Sequence, residues 1–253
     1  MTAPLLRIRG LRKHYRAGGA HTVAVDGVDL EVLPDEVVGL IGESGCGKTS
    51  LVRAALGLLP RDGGDVAVLG EDPERLDARA RAALRRRAQL LLQDPGASLN
   101  PGLRIREALD DSARLHRPGV PDAAGEALAR FGLTHRAEAR PHELSGGEKR
   151  RVTLAMLWLA DPVLTIADEP TSGLDAARKA DVLDMLLARR RPGAGFLLIS
   201  HDLPLVLYAC TRVVVMETGR LVDTFTPTTL HTSPRHPLTR RLLWAAGMLA
   251  EPA

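Results

Sequence analysis

Val37-Val38-Gly39-Leu40-Ile41-Gly42-Glu43-Ser44-Gly45-Cys46-Gly47-Lys48-Thr49-Ser50 is the stretch on which the fold turns. Its first five residues form an unbroken apolar run, the pattern of a parallel strand buried on both faces. The run leads directly into a glycine-rich loop, and Ser50 to Leu58 then reads as a helix. A strand before and a helix after give Gly42-x-x-x-x-Gly47-Lys48-Thr49 the context of a phosphate-binding P-loop. The glycines let the backbone curl so that successive N–H groups point inward at phosphate oxygens, and the helix adds its positive end. Lys48 is then placed to bridge β- and γ-phosphates, and Thr49 to ligate Mg2+. A plain glycine turn at a helix start has no need of Lys followed by Thr. Cys46 fits the loop as an inert small residue rather than a redox sensor. The expectation is an ATP site built on Gly42, Glu43, Ser44, Gly45, Cys46, Gly47, Lys48, Thr49 and Ser50.

Upstream of this loop, Leu5–Arg9, Thr22–Val25 and Val28–Val32 alternate or run apolar between glycine-containing turns, which predicts an antiparallel sheet. Downstream, Asp94 to Ala160 is rich in Ala, Arg and Glu with Pro and Gly punctuation, a pattern of short helices. Strand-like runs return at Val163–Ala167, Phe196–Ser200 and Arg212–Met216, separated by helical stretches. The result is an α/β chain with a mainly parallel sheet covered by helices. One P-loop and no internal repeat predict a single nucleotide-binding domain across 1–253. Within it, 1–93 and 161–231 form the ATP-binding core with its antiparallel part, 94–160 an inserted helical subdomain, and 232–253 a tail.

Composition excludes several classes. Two cysteines, Cys46 and Cys210, make neither a disulfide framework nor a zinc cluster, and no charged-then-apolar export signal opens the chain, so a reducing compartment is expected. The longest nearly apolar stretch, Val152–Ala160, is about half of the ~20 residues that a membrane span needs. Membrane contact is therefore expected to be peripheral. Net charge is +3, and the densest basic run, Arg79–Arg87, has no interleaved aromatics to stack on bases. Helical spacing makes that run a solvated helix face, and no nucleic-acid partner is expected.

Asp168-Glu169 follows the apolar run Val163–Ala167, so a parallel strand delivers both carboxylates to the carboxyl edge of the sheet, where ligand sites lie. Asp168 is the candidate Mg2+ ligand, and Glu169 the group that accepts a proton from, or orients, the attacking water. Leu144-Ser145-Gly146-Gly147-Glu148 reads locally as a capping box, Ser145 as N-cap and Glu148 three residues on. A plain cap accounts for Ser145 and Glu148 but not for the paired glycines, which leave N–H groups open to an anion.

The sequence Leu144–Glu148 resembles the signature motif of ATP-binding cassette (ABC) proteins, and the family's other motifs stand in the expected order along nearly the whole chain. By that resemblance Tyr15 is the aromatic that stacks on adenine, and Gln93 is the glutamine that senses Mg2+ or water and relays to membrane subunits. Ser172-Gly173-Leu174-Asp175 forms the D-loop, with Asp175 communicating across the interface, and His201 contacts the γ-phosphate. Taken singly, Tyr15 also fits a surface strand, Gln93 a loop amide, Asp175 a helix cap and His201 a structural imidazole; their joint order carries the assignment.

The resemblance implies a P-loop NTPase of the ABC ATPase type, with a RecA-like core, an N-terminal antiparallel β subdomain and an inserted helical subdomain. It also implies a head-to-tail dimer with a second ABC ATPase subunit, a related paralogue or a second copy. ATP would lie between one P-loop and the partner's Ser145, Gly146, Gly147 and Glu148 segment, with Lys48, Glu169 and His201 as catalytic groups and Thr49, Gln93 and Asp168 around the metal. ATP binding then becomes a stroke on transmembrane permease subunits at the cytoplasmic membrane face, with an extracytoplasmic solute-binding protein completing the complex.

Gln93-Asp94-Pro95-Gly96-Ala97-Ser98-Leu99-Asn100-Pro101 and Ser233–Leu243 resemble the dipeptide, oligopeptide and nickel importer branch. Leu238 departs from that branch's usual Tyr, and Met156 stands where many relatives have Arg. Glu148 replaces the usual Gln. A carboxylate there repels a partner's γ-phosphate and slows turnover, unless Glu148 turns back to cap the helix. A soluble ABC ATPase acting on nucleic acid or ribosomes, and a hydrolytically weak partner in a heterodimeric transporter, stay open as alternatives at this level.

Overall fold

The computed structural model describes residues 2–17, 20–187, 191–230 and 236–248. The chain begins with β1 (Leu6–Ala17), β2 (Ala20–Val32) and β3 (Val37–Ile41), followed by α1 (Lys48–Ala55) and β4 (Gly63–Val68). Next come α2 (Ala78–Arg87), β5 (Ala88–Leu91), α3 (Ile105–His116), α4 (Ala123–Arg130) and α5 (Gly146–Ala160). The remaining elements are β6 (Leu164–Asp168), α6 (Ala176–Leu187), β7 (Gly195–Ile199), α7 (Leu203–Ala209), β8 (Arg212–Glu217), β9 (Arg220–Phe225) and α8 (Pro237–Ala245).

Two sheets organise these elements. One is antiparallel, in the order β2-β1-β4; the other runs β5-β6-β7-β3-β8-β9, parallel throughout except for the antiparallel edge strand β9. Successive side chains of a strand point to opposite faces, so the apolar runs of the parallel strands feed two cores at once. Val37, Ile41, Ala167, Phe196, Leu198, Val213 and Val215 pack into the core shared with α3, α4, α5 and α7. Val38, Leu40, Leu164, Ile166, Leu197, Ile199, Val214 and Met216 alternate with them and pack into the core beneath the antiparallel sheet and α1. Each fully buried Leu or Ile among them stabilises the sheet by roughly 1.5–3 kcal/mol.

The first sheet differs from the sequence reading in one respect. The short strands expected at Leu5–Arg9, Thr22–Val25 and Val28–Val32 are parts of two long strands, because Gly10 and Gly27 do not end them. Both glycines have positive φ, +58 and +67, and sit where the β1–β2 register shifts. They are bulges, at which a left-handed glycine absorbs an extra residue while pairing resumes. Strands β4, β5 and β9 are additional to the strands that the sequence pattern predicts. Helix α2 holds the basic run as a solvated face, with Leu84 its buried residue.

Helices α3, α4 and α5 pack on one another in the chain between β5 and β6. No helix among the described residues is long and apolar enough to cross a membrane. Cys210 is buried beneath α7, and burial pushes its thiol pKa up to about 12, consistent with an inert core residue. Of the tail sequence that carries the branch resemblance, Ser233, Pro234 and Arg235 lie outside the described residues.

Candidate active site

The parallel register brings the carboxyl ends of four strands together. Ile41 of β3 pairs with Val215, Leu40 pairs with Ile199 of β7, and Ile199 pairs with Asp168 of β6. Leu91 of β5 pairs with Ala167, so Gln93, two residues on, lies on the same edge as Glu169. The glycine loop, Gln93, Asp168, Glu169 and His201 therefore share one rim of the sheet, the place where open α/β sheets bind ligands.

Gly47 is the N-cap of α1 at φ +110. A Cβ at this position would lie 2.0 Å from the Ala24 carbonyl oxygen, so the loop packs against β2 at a distance that only glycine permits. The Gly219 N–H donates to the Cys46 carbonyl at 2.9 Å and pins the loop from the other side. Lys48 is buried; its Nζ donates to the carbonyls of Gly42 and Glu43 at 2.8 and 2.9 Å and lies 3.7 Å from Cys46 Sγ. Glu43, Ser44 and Gly45 are exposed at the loop's crown, and Glu43 pairs with Arg241 of α8 at 3.4 Å. Tyr15 reaches from β1 to α1, its hydroxyl 3.1 Å from Ser50 Oγ, and the residue is 39% exposed.

Asp168 ends β6 and is 5% exposed. Burial raises its carboxyl pKa, a hydrogen bond from Thr49 opposes that rise, and neighbouring Glu169 adds to it. Thr49 Oγ1 donates to Asp168 Oδ2 at 2.9 Å. A hydroxyl and a buried carboxylate facing each other are oxygen donors of the kind that would hold a magnesium ion, which takes few protein oxygens beside waters and substrate phosphates.

Glu169 has φ +51, a left-handed conformation that costs a non-glycine residue roughly 1–2 kcal/mol. Its N–H donates to the Ile199 carbonyl at 2.9 Å, which anchors the turn. The turn aims the carboxylate at His201, whose Nδ1 lies 2.9 and 3.0 Å from the two oxygens. This carboxylate–imidazole pair lies on the same rim of the sheet as the glycine loop, and such a pair is chemically able to take a proton from water.

The second cluster lies at the start of α5. Ser145 caps the helix, accepting the Glu148 N–H at 3.2 Å, and Ser145, Gly146 and Gly147 are exposed. Glu148 turns back, the second of the two outcomes that the sequence left open. Its Oε2 accepts from Ser145 N at 2.8 Å and from Ser145 Oγ at 2.9 Å, and its Oε1 accepts from Arg136 Nε at 2.8 Å. The Ser145 N–H, the Arg136 guanidinium and the Ser145 hydroxyl together lower its pKa to about 2. Asp175 caps α6 by accepting the Arg178 N–H at 3.1 Å. Arg150 of α5 donates to the Ser172 carbonyl at 3.0 Å and so ties α5 to the segment before α6.

Among the described residues no hydrogen bond or ion pair joins Ser145–Glu148 to Gly42–Ser50 of the same chain. The structure thus assembles Tyr15, the glycine loop, Asp168, Glu169, His201 and the edge bearing Gln93 into one group, and Ser145–Glu148 into another. Sequence reasoning missed Arg136 and Arg150, since neither stands at a spacing that announces its partner.

Residues 25–172 match the family described as ABC transporter. A Brucella ovis protein whose name describes a peptide import ATP-binding protein is 39% identical over 248 residues, covering 96% of this chain and 78% of that one. The oligopeptide transport ATP-binding protein YkfD of Bacillus subtilis is 36% identical, covering 95% and 75%. Among solved structures, an ATP-binding subunit of an ABC transporter superposes with a TM-score of 0.78 at 26% identity, covering 96% of this chain and 99% of that one.

Proposed function

The chain belongs to the ABC transporter family, and from that premise we propose that it is the ATP-hydrolysing subunit that powers a peptide importer, working as one half of a head-to-tail pair of cassettes. The names of its relatives, peptide import and oligopeptide transport, favour peptides over nickel as the solute. The observation that carries the hydrolytic reading is the contact of Glu169 with His201 on the same rim as Thr49, Asp168 and Lys48.

In this reading the triphosphate rests on the inward N–H groups of Gly42–Thr49, Lys48 holds the β- and γ-phosphates, and adenine stacks on Tyr15. Thr49 and Asp168 are the groups to hold Mg2+, which supplies charge neutralisation on the phosphates. Glu169 takes the proton of the attacking water, and His201 orients that carboxylate and contacts the γ-phosphate. Gln93 senses the occupied site. The exposed N–H groups of Gly146 and Gly147, at the positive end of α5, form the second wall for the partner's nucleotide. Residues 94–160 then act as the helical subdomain that carries this wall, and Asp175 meets the partner subunit. Permease subunits, an external solute-binding protein and a peripheral position on the cytoplasmic membrane face complete the proposal.

Replacing Glu169 by Gln keeps the shape and a hydrogen-bond acceptor for His201 but removes the base. Turnover in the presence of the permease is expected to fall roughly 10²–10⁴-fold while ATP binding persists. A wild-type rate would remove Glu169 from this role.

A further inference from the structure

Glu148 places a negative charge in the signature segment, at a position where the family resemblance has a neutral Gln. The carboxylate is not loose: one oxygen is held by Ser145 and the other by Arg136 Nε at 2.8 Å, with His135 Nε2 at 3.6 Å. Arg136 ends the short 3-10 turn Thr134–Arg136 between α4 and α5, and its own N–H donates to the Leu133 carbonyl at 2.8 Å. Among the described residues Arg136 makes no ion pair other than that with Glu148.

We propose that Arg136 is a positioning residue for the signature: it holds the Glu148 carboxylate on the inner side of the helix start, so that Ser145, Gly146 and Gly147 present donors, not a negative charge, to a partner's triphosphate. The inference rests on the reading of that surface as the second wall of the ATP site. Its physics is a choice between two placements of one carboxylate. Turned inward, it completes the helix cap and is offset by a guanidinium. Without the guanidinium, a net negative charge remains beside N–H groups meant for an anion, and it opposes closure on the γ-phosphate. The penalty falls on closure and turnover, because Arg136 does not touch the chain's own glycine loop.

A double-mutant cycle tests this, using Arg136→Ala and Glu148→Gln singly and together in the full chain, assembled with the membrane subunits that co-purify with it. Arg136→Ala is expected to lower ATPase turnover about tenfold when Glu148 is present, the scale of one uncompensated like charge at a partly screened surface. In the Glu148→Gln background the same change is expected to cost less than about twofold, the scale of two uncoupled sites. The ATP affinity of the isolated chain is expected to stay close to wild type in Arg136→Ala and its melting temperature to fall by no more than the loss of the one Glu148 ion pair, which separates this effect from misfolding. An equal loss in both backgrounds would make Arg136 merely structural and overturn the proposal. So would a wild-type rate for Arg136→Ala beside an inactive Gly147→Asp variant, which would leave the two-walled site standing. If Gly147→Asp also turned over at the wild-type rate, the two-walled reading and this proposal would fall together.

Discussion

Replacing Gly47 with Ala tests the loop's geometry, because two separate penalties can be worked from the structure. The first is conformational: φ +110 lies in a region that costs an L-residue about 1–2 kcal/mol. The second is steric. The new Cβ would lie 2.0 Å from the Ala24 carbonyl oxygen and 3.0 Å from Met216 Cε, so backbone has to move. That backbone is held by the Asp26 N–H to the Gly219 carbonyl and the Gly219 N–H to the Cys46 carbonyl, both at 2.9 Å. Weakening two such bonds costs about 1 kcal/mol each. The sum is about 3–4 kcal/mol, which for a chain of 253 residues lowers the melting temperature by roughly 6–15 °C. Gly45→Ala is the control, since Gly45 has φ +80 but nothing within 4 Å of a Cβ. It carries the conformational penalty alone, a drop of roughly 2–8 °C. Calorimetry of both variants, with ATP titrations alongside, reads the difference. Gly47→Ala is also expected to lose most of its ATP affinity, because the Gly47 and Lys48 N–H groups move with the loop. Equal melting temperatures for the two variants, or wild-type ATP affinity in Gly47→Ala, would refute the close-approach reasoning.

Two further predictions follow from the site's polar contacts. Thr49→Val removes the hydroxyl that Asp168 accepts while keeping the shape, so the buried carboxylate loses a partner; a stability loss of about 1–3 kcal/mol in urea titrations and a higher Mg2+ requirement in ATPase assays are expected. Glu148 has its pKa lowered from 4.5 to about 2, so its contribution to stability is complete above pH 4.5 and is lost as pH falls toward 2. Acid titration of unfolding should therefore show a shallower fall in that window for Glu148→Gln than for wild type.

The parts of the molecule legible in sequence are those whose physics is local. The glycine loop is announced by the strand before it and the helix after it. Asp168 and Glu169 are announced by the apolar run that ends in them, and the Ser145–Glu148 cap by a three-residue spacing. Where the same letter serves two geometries, the sequence misleads: Gly10 and Gly27 carry the positive φ of turns, yet the strands run through them as bulges. Strand β4 carries no strand-like pattern, because it opens with Gly63-Gly64-Asp65 and buries little of its surface. Four-residue β5 follows α2 without a break, and β9 lies half-buried at a sheet edge.

By itself the sequence determined that this chain has a glycine loop between a strand and a helix, a pair of acidic residues at a strand end and a capped helix that opens with two glycines, since each needs only neighbours a few residues apart. Only the tertiary structure decided which of these lie together. Thr49 meets Asp168 across 119 positions and Glu169 meets His201 across 32, because parallel strands deliver them to one edge. The structure also decided the fate of Glu148. A carboxylate at this helix start can face outward or inward, and it faces inward, held by Ser145 and by the Arg136 guanidinium, twelve residues away in sequence and 2.8 Å away in space.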